Sequence, residues 1–385
     1  MTSTYTHNEK NPSFKLKSIW SKAGIGTCSI FEYVTSLQST KNFTVVFDLG
    51  STPIFDETIP VNHVILSHGH LDHIGGIFSH ARAHSLCSDS VPSYYVPEHL
   101  VEKIEKARQV FSDIDSTCYE SNEICTVVQK RDSSCLEMNI VPVRAGEEIE
   151  LTQRKVKNGV QFYLRPFQVS HGGHPALGYT LITKTSKQVL KSEYMEMDKN
   201  AIGELAKHGV QIKETKVVER IELCYSGDTN IHGLISTTYK KKTDSNSILY
   251  RNQGLQQAPL LLVELTYLDV KDSQLAQVRG HLNIVDVAKL CDCHGWFINS
   301  ARDTKRTIIF YHISGKHKSV DTILDMMKNN LPRQMYPFTK VAISAFYGTK
   351  LADLTVDADG CVSLMDYVNL MTNHEQKQAC TSTIK

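Results

Sequence analysis

The segment SHGHLDHIGG, at 67–76, contains four side chains that can bind a cation within a span of six residues. Residues two apart point the same way in an extended loop, so His68 and His70 can contact one ion. The chain is then expected to turn toward a helix at Asp72 and His73, which directs these two side chains at a neighbouring point. Imidazole and carboxylate groups are the natural ligands of zinc. The segment therefore predicts half of a dinuclear metal centre whose remaining ligands come from elsewhere in the chain.

Three further candidate ligands each follow a β-rich segment. His171 follows FYLRPFQVS, Asp228 lies in the SGDT that follows RIELCY, and His312 follows RTIIFY. A carboxylate such as Asp228 can bridge two ions through its two oxygens. In SHGGHPALGY, His174 competes with His171, which is preferred because it comes directly after the strand. The chain has 17 histidines and most must be ordinary, but the cluster and its strand-end partners together predict metal binding.

The elements that must position these ligands are short β-rich segments with helical patterns between them. This alternation predicts an α/β protein, with two sheets and helices outside them. Strands are expected at 27–34, 43–49, 61–67, 162–170, 220–226, 259–265, 306–312 and 338–346. One amphipathic helix is expected over 97–111. Asn283 and Ser319 are expected to cap two more helices, which end at Gly295 and before Pro332.

Three segments lack a clear helical or strand period. Residues 112–138 and 232–258 are polar and are expected to be insertions, the second of them a solvated loop. The last segment, 349–385, contains Asp359-Gly360, which predicts a hairpin turn. A calcium loop is excluded there, because the Asp spacing is wrong and the Glu at loop position 12 is missing.

Composition sets limits on partners and compartment. Lys and Arg total 42 against 41 Asp and Glu, so no global basic field attracts nucleic acid, although a local basic strip can coexist with this balance. The 10 cysteines have no regular spacing, and CDCH (Cys291, Cys293, His294) is expected to be core or surface because no second pair lies nearby. The N-terminus has no signal or transit character, and no stretch approaches the roughly 20 apolar residues that span a bilayer. A reduced cytoplasmic or nuclear compartment without membrane attachment is predicted.

Several motifs resemble a known family. SHGHLDHIGG resembles the His-x-His-x-Asp-His signature of the metallo-β-lactamase superfamily, which implies an αββα sandwich with metals at one end of its two sheets. Four more motifs, in the same order, resemble the short form of ribonuclease Z: FDLG, SGDT, VELT with a following Gly-His, and FYHISGKH. The resemblance covers about 14–348, which leaves an N-terminal extension, 1–13, and a C-terminal tail, 349–385.

The resemblance implies a zinc-dependent endoribonuclease with two Zn²⁺ per subunit. Hydroxide held between the ions would cut the 3′ trailer from precursor tRNA and leave a 3′ hydroxyl. Asp72 would also orient or deprotonate the water, and Glu264 would position and charge His281, the proton donor. Ser314 and Lys316 would bind substrate, and a homodimer is expected. The implied ligand sets are His68, His70 and His171 for one ion, and Asp72, His73 and His312 for the other, with Asp228 shared.

Some positions allow two interpretations. Glu264 follows PLLLV, a predicted buried strand where an unpaired carboxylate would be costly, yet it could also lie exposed at the strand end. Asp48 is expected to support a ligand or a turn rather than bind metal. Lys316 stands where the family usually has Arg and lacks the bidentate fork. The segment near 184–220 could be a substrate arm, but its mixed charges also fit a solvated surface.

Two other classes of function compete with the endoribonuclease. A small-molecule phosphodiesterase acting on cyclic nucleotides, or a thioester hydrolase, could use the same fold and metals. The pair Glu264 and His281 favours the endoribonuclease, because thioester hydrolysis has no need of that proton donor. A binding protein without activity is disfavoured, because every candidate ligand is present.

Overall fold

In the computed structural model, the described residues are 13–34, 43–115, 136–151, 159–235, 244–295, 306–346 and 354–382. They form two facing sheets with helices on both outer sides.

The first sheet has six strands in chain order across the sheet. The first three strands pair antiparallel, and the third to sixth pair parallel. The strands are β1 Ser13–Lys22, β2 Gly26–Val34, β3 Phe43–Leu49, β4 His63–Ile65, β5 Ser93–Pro97 and β6 Asn139–Val143.

The second sheet has eight strands, again adjacent in chain order. Its strands are β7 Ile149–Glu150, β8 Val160–His171, β9 His174–Leu190, β10 Lys213–Tyr225, β11 Leu260–Glu264, β12 Thr307–Tyr311, β13 Thr339–Ala342 and β14 Cys361–Ser363. Strands β10 to β13 are parallel. Because β8 and β10 both pair antiparallel with β9, β8 runs in the same direction as these four.

Most helices lie in the connections between parallel strands. The helices are α1 Phe55–Thr58, α2 Leu71–Ile74, α3 Ile77–Cys87, α4 Val101–Asp115, α5 Lys199–Lys207, α6 Ile231–Ile235, α7 Asp244–Gln257, α8 Ser273–Arg279, α9 Ile284–His294, α10 Val320–Asn330 and α11 Leu364–Ser382. Helix α5 lies between the antiparallel strands β9 and β10, and α11 follows β14. The predicted caps are confirmed: Asn283 accepts from Val285 N in a capping box at the start of α9, and the Ser319 hydroxyl accepts from Thr322 N at the start of α10. No helix of the described residues is long and apolar enough to cross a membrane.

Alternation of side chains along the strands builds three apolar layers. In β3, Val45 and Phe47 face the second sheet, whereas Val46 faces the outer helices of the first sheet. The outer face of the second sheet packs against α6, α7, α9, α10 and α11. Helices therefore cover both outer faces of a two-sheet core, and the predicted αββα arrangement is confirmed.

Two segments differ from the expectation of solvated or peripheral chain. Residues 244–257, within the predicted loop 232–258, form α7, which packs on β8 and buries Leu255 and Arg251. Most of the predicted insertion 112–138 lies outside the described residues. The predicted tail supplies β14, which extends the second sheet, and α11, which packs against α10.

The predicted turn at Asp359-Gly360 is present directly before β14. Gly360 has a φ of +87°, and its N–H donates to Asp357 O at 2.9 Å. The turn does not join β13 to β14 directly, because β13 ends at Ala342.

Strands β9 and β10 continue as a long hairpin beyond the sheet. Its outer part is 184–220, which includes α5, and most of the side chains there are exposed. At the base of this hairpin, the buried Arg165 guanidinium makes two 2.6 Å hydrogen bonds to Glu219 and also pairs with Glu148. A bidentate guanidinium–carboxylate pair is directional, so this contact fixes how the hairpin leaves the sheet.

Candidate metal centre

The predicted ligands meet at one edge of the sandwich, where the parallel strands end. Both sheets contribute to this edge, and the carboxyl ends of parallel strands are where α/β folds commonly place their ligands. The loop after β4 carries His68 and His70, and α2 begins with Leu71 and carries Asp72 and His73. Strand β8 ends at His171, β10 is followed by Asp228, and β12 is followed by His312.

All seven predicted ligands fall into groups whose donor atoms lie within 4.8 Å of one another. Three of these groups contain all seven: His68 with His70 and His171, His68 with His73 and Asp228, and Asp72 with His73 and His312. His68 and Asp228 are buried and Asp72 is half-buried, and both carboxylates line the cavity. The grouping has the form of two adjacent subsites.

One carboxylate oxygen joins the two subsites. Asp228 Oδ2 lies 3.2 Å from His73 Nε2, 3.3 Å from His312 Nε2 and 3.8 Å from His68 Nε2. Gly227 makes this position reachable, because it turns the chain after β10 with a φ of +61°. A side chain there would also meet Leu177 O at 2.5 Å. Asp228 is therefore placed to be shared between two ions.

The cluster has the donors and the unmet polar atoms that a divalent metal requires. Among the described residues, the buried His68 Nε2 and Asp228 Oδ1 have no hydrogen-bond partner. Buried polar atoms without partners are rare and costly, and these two belong to one group of potential ligands. A set of imidazoles and carboxylates suits Zn²⁺ and tolerates Mn²⁺ or Fe²⁺. The residues present fit a metal centre.

Neighbouring imidazoles in the cluster have opposite proton affinities. Burial and the adjacent His73 hold the pKa of His68 well below its usual value. Burial alone would lower the pKa of His73 as well, but the carboxylates of Asp228 and Asp48 raise it well above its usual value. A positive charge is thus favoured between these two carboxylates. Metal ligation requires neutral imidazole, so binding of an ion here would release the His73 proton.

Asp48 supports the cluster from beneath, which agrees with its predicted role as a ligand support. Its buried carboxylate accepts from His73 Nδ1 at 2.8 Å, from Ser67 N at 2.7 Å, from Ser67 Oγ at 2.8 Å and from Tyr225 OH at 2.7 Å. Asp48 and His312 are the non-glycine residues with positive φ among those described, at +55° and +63°. Such backbone is uncommon outside glycine and often marks functional sites, because surrounding contacts must hold it.

Glu264 is fully buried, so the interpretation of an exposed strand-end carboxylate is wrong. Its oxygens accept from the backbone N–H groups of Thr229, Thr266 and Leu282, at 2.9–3.2 Å. Glu264 Oε1 also lies 3.1 Å from His281 Nδ1. The carboxylate therefore fixes the orientation of the His281 ring, and the His281 side chain lines the cavity.

The pKa values of the two groups beside the cavity move in opposite directions. Burial would raise the pKa of Asp72, but a hydrogen bond from His312 and the charge of His73 lower it well below its usual value. Burial would lower the pKa of His281, but the Glu264 carboxylate raises it to about 9. At neutral pH the cavity therefore has an ionised carboxylate and a protonated imidazole on its walls.

The remaining predicted residues lie at different distances from the cluster. His174 is exposed and belongs to none of the donor groups of the described residues, although its ring centroid is 4.9 Å from that of His70. Ser314 lines the cavity, whereas Lys316 does not and instead pairs with Asp272.

Three residues at the site were not predicted from the sequence. The Thr266 hydroxyl lies 2.9–3.2 Å from atoms of Glu264, His281 and His312, and the T of VELT was the available signal. Tyr267 and Arg279 also line the cavity, and no motif pointed to them.

A family model described as the metallo-β-lactamase superfamily matches residues 28–123, which include the histidine cluster. A chloroplastic tRNase Z of Arabidopsis thaliana is 25% identical over 275 residues, which cover 71% of this chain and 62% of that protein. A second tRNase Z of Arabidopsis thaliana is 24% identical over 321 residues, covering 82% of this chain and 92% of that protein. A nuclear ribonuclease Z of Triticum aestivum is 29% identical over 192 residues, covering 50% of this chain and 88% of that protein.

The family match and the two-sheet fold agree with the donor cluster at the strand ends. Residues 28–123 therefore resemble the metallo-β-lactamase superfamily, and the chain is similar to ribonuclease Z proteins.

Proposed function

We propose that this protein is a metal-dependent endoribonuclease that removes the 3′ trailer from precursor tRNA and leaves a 3′ hydroxyl. The carrying observation is the pair formed by the buried Glu264 and the half-buried His281 beside the ligand cluster. A thioester hydrolase on the same fold would have no use for this proton donor. The names of the similar plant proteins, tRNase Z and ribonuclease Z, support the same substrate.

Two divalent ions, proposed to be Zn²⁺, would be held by the seven clustered ligands. When bound, they would neutralise phosphate charge and acidify the attacking water. The proposed sets are His68, His70 and His171 for one ion, and Asp72, His73 and His312 for the other, with Asp228 shared.

Asp72 is proposed to orient the attacking water and to accept its proton. Its carboxylate is ionised because of its lowered pKa, and it is held in place by Gly24 N–H, which donates to Asp72 Oδ2 at 2.8 Å. A carboxylate fixed at the cavity wall can select one direction of approach for the water.

His281 is proposed to protonate the leaving 3′ oxygen. Glu264 fixes its Nδ1, and the raised pKa of about 9 keeps the ring protonated at neutral pH. A positioned general acid typically contributes about 10²- to 10⁴-fold in rate. Departure of a poor alkoxide leaving group is the step that needs this proton.

The test is to incubate the zinc-loaded protein with a precursor tRNA that carries a 3′ trailer and to map the cut to the nucleotide. Asp72→Ala and His281→Ala are assayed beside wild type, with the exposed His374→Ala as a matched control. We expect a cut directly after the discriminator base that is abolished by Asp72→Ala and slowed by His281→Ala at full zinc content. The control variant should cut like wild type.

The proposal fails if wild type with two bound ions leaves the precursor intact. Hydrolysis of cyclic nucleotides or thioesters by the same preparation would then identify a small-molecule hydrolase. The predicted homodimer remains a prediction that sedimentation of the zinc-loaded protein tests independently of cleavage.

A further inference from the structure

An arginine that no sequence motif indicates lies on the wall of the cavity. Arg279 is the last residue of α8, and it lines an open cavity of about 270 Å³ together with Asp72, Asp228 and His281. The cavity that contains the ligand cluster therefore has a guanidinium on its wall.

The backbone of Arg279 is locked to the frame of the metal centre. Gly280 follows it with a φ of +77°, and Gly280 O accepts from His171 Nδ1 at 2.9 Å. On the other side, a side chain at Gly172 would meet Arg279 O at 2.9 Å, which shows how closely the two segments approach. The position of Arg279 relative to His171 and His281 is thus fixed by packing rather than by a free loop.

The guanidinium makes no ion pair with any described residue. Its hydrogen bond to a described residue is a long one, from Nη1 to Tyr267 OH at 3.4 Å, and the Tyr267 ring lies 6.2 Å from the His281 ring. Lys316, predicted as a substrate-binding residue, has its ammonium paired with Asp272 and does not line the cavity. The free cation at the cavity wall is therefore Arg279, within the part of the chain that the structure describes.

We propose that Arg279 binds a backbone phosphate of the RNA next to the scissile one, and so supplies the anion contact that Lys316 was predicted to make. The planar fork of Arg matches two phosphate oxygens, and Tyr267 holds one of its nitrogens without neutralising its charge. This inference rests on the proposed RNA substrate. It makes Arg279 a substrate-binding residue that acts on affinity.

The test measures binding of the zinc-loaded protein to a fluorescent single-stranded RNA of about 12 nucleotides, by anisotropy at several salt concentrations. A gel run afterwards checks that the RNA is intact. Wild type is compared with Arg279→Ala, with Arg279→Lys, and with Arg333→Ala, a matched exposed arginine outside the cavity lining.

We expect Arg279→Ala to weaken binding about 10- to 100-fold, as for loss of a charged hydrogen bond, and to reduce the salt slope by about 1. Arg279→Lys should lie between, because it keeps the charge and loses the fork, and Arg333→Ala should match wild type. In cleavage of precursor tRNA, Arg279→Ala should raise KM more than it lowers kcat.

Three results would overturn the inference: Arg279→Ala binding within twofold of wild type, an equal loss in Arg333→Ala, or no RNA binding by wild type. Failure of the proposed function gives a different result. If Arg279→Ala weakens RNA binding while wild type leaves precursor tRNA intact, the tRNA assignment fails and the phosphate contact stands. If wild type cuts the precursor and Arg279→Ala binds and cuts equally well, only this inference fails.

Discussion

Replacement of Asp48 by Asn should weaken the hydrogen bonds that support the metal centre without replacing a proposed ligand. Asn tolerates the left-handed backbone at this position nearly as well as Asp, so the change isolates the hydrogen bonds. Asp48 Oδ2 accepts from His73, Tyr225 and Ser67 Oγ, and Oδ1 accepts from Ser67 N. An amide has one acceptor oxygen, so its NH₂ group must face at least one of these donors.

The magnitude follows from that count. In the better orientation the amide oxygen keeps the three-donor side, and its NH₂ meets Ser67 N–H. Two buried donors, the Ser67 N–H and the amide NH₂, then lack an acceptor. Each costs about 1–3 kcal/mol, so we expect a loss of roughly 2–6 kcal/mol in unfolding free energy. Because Asp48 also orients the His73 ring, metal affinity should fall by about 10- to 100-fold.

Urea unfolding of the zinc-free protein measures the first effect, and competition with a chelator of known affinity measures the second. Asp56→Asn is the matched control, since Asp56 is exposed and should change stability by less than about 0.5 kcal/mol. An Asp48→Asn protein with wild-type stability and wild-type zinc affinity would refute the role assigned to this carboxylate.

Three other changes should have distinct signatures. Tyr225→Phe removes one of the donors to Asp48 and should cost about 1–2 kcal/mol in urea unfolding, less than Asp48→Asn; an equal or larger loss would contradict the ranking. Glu264→Gln should lower the pKa of His281 from about 9, so that activity declines at lower pH than in wild type; an unmoved alkaline limb of the pH–rate profile would argue against the pair. Burial lowers the pKa of His80 to about 4, so the folded state protonates this imidazole less readily than the unfolded state does. The contribution of neutral His80 to the free energy of unfolding is therefore complete above about pH 6.5 and is lost as the pH falls toward 4. We expect a contribution of about 3 kcal/mol from this group and a shallower acid loss of stability in His80→Asn, and parallel curves for the two proteins would count against it.

The parts of the site that the sequence could predict are those marked by a local pattern, either a short motif or the end of an apolar run. His68, His70, Asp72 and His73 are recognisable because their types and spacing are unusual together. His312 and Asp228 are recognisable because each follows an apolar run that must be a strand. The burial of Glu264 could be inferred from the run before it, but its backbone donors come from distant segments and no local pattern announces them.

The parts that could not be predicted depend on contacts between distant segments. Arg279 resembles any basic residue at a helix C-terminus, where cations are favoured by the helix dipole, and only the close approach to Gly172 places it at the cavity. The polar composition of 232–258 predicts a solvated loop, whereas α7 has a buried face that includes polar residues. Ser247 accepts from Gln168 N at 2.9 Å, and Arg251 is almost fully buried. Hydrophobic periodicity does not detect such a face.

The ligand cluster draws on residues made early and late in synthesis. The donors from His68 to His73 belong to the first sheet, whereas His171, Asp228 and His312 belong to the second. A nascent chain therefore carries the first group long before His312 emerges, and the complete cluster forms only when the two sheets have docked. Tight ion capture would then be a late event that stabilises finished molecules over partly folded ones by mass action. Supply of the metal would therefore influence the number of chains that reach the folded state as well as the activity of each molecule.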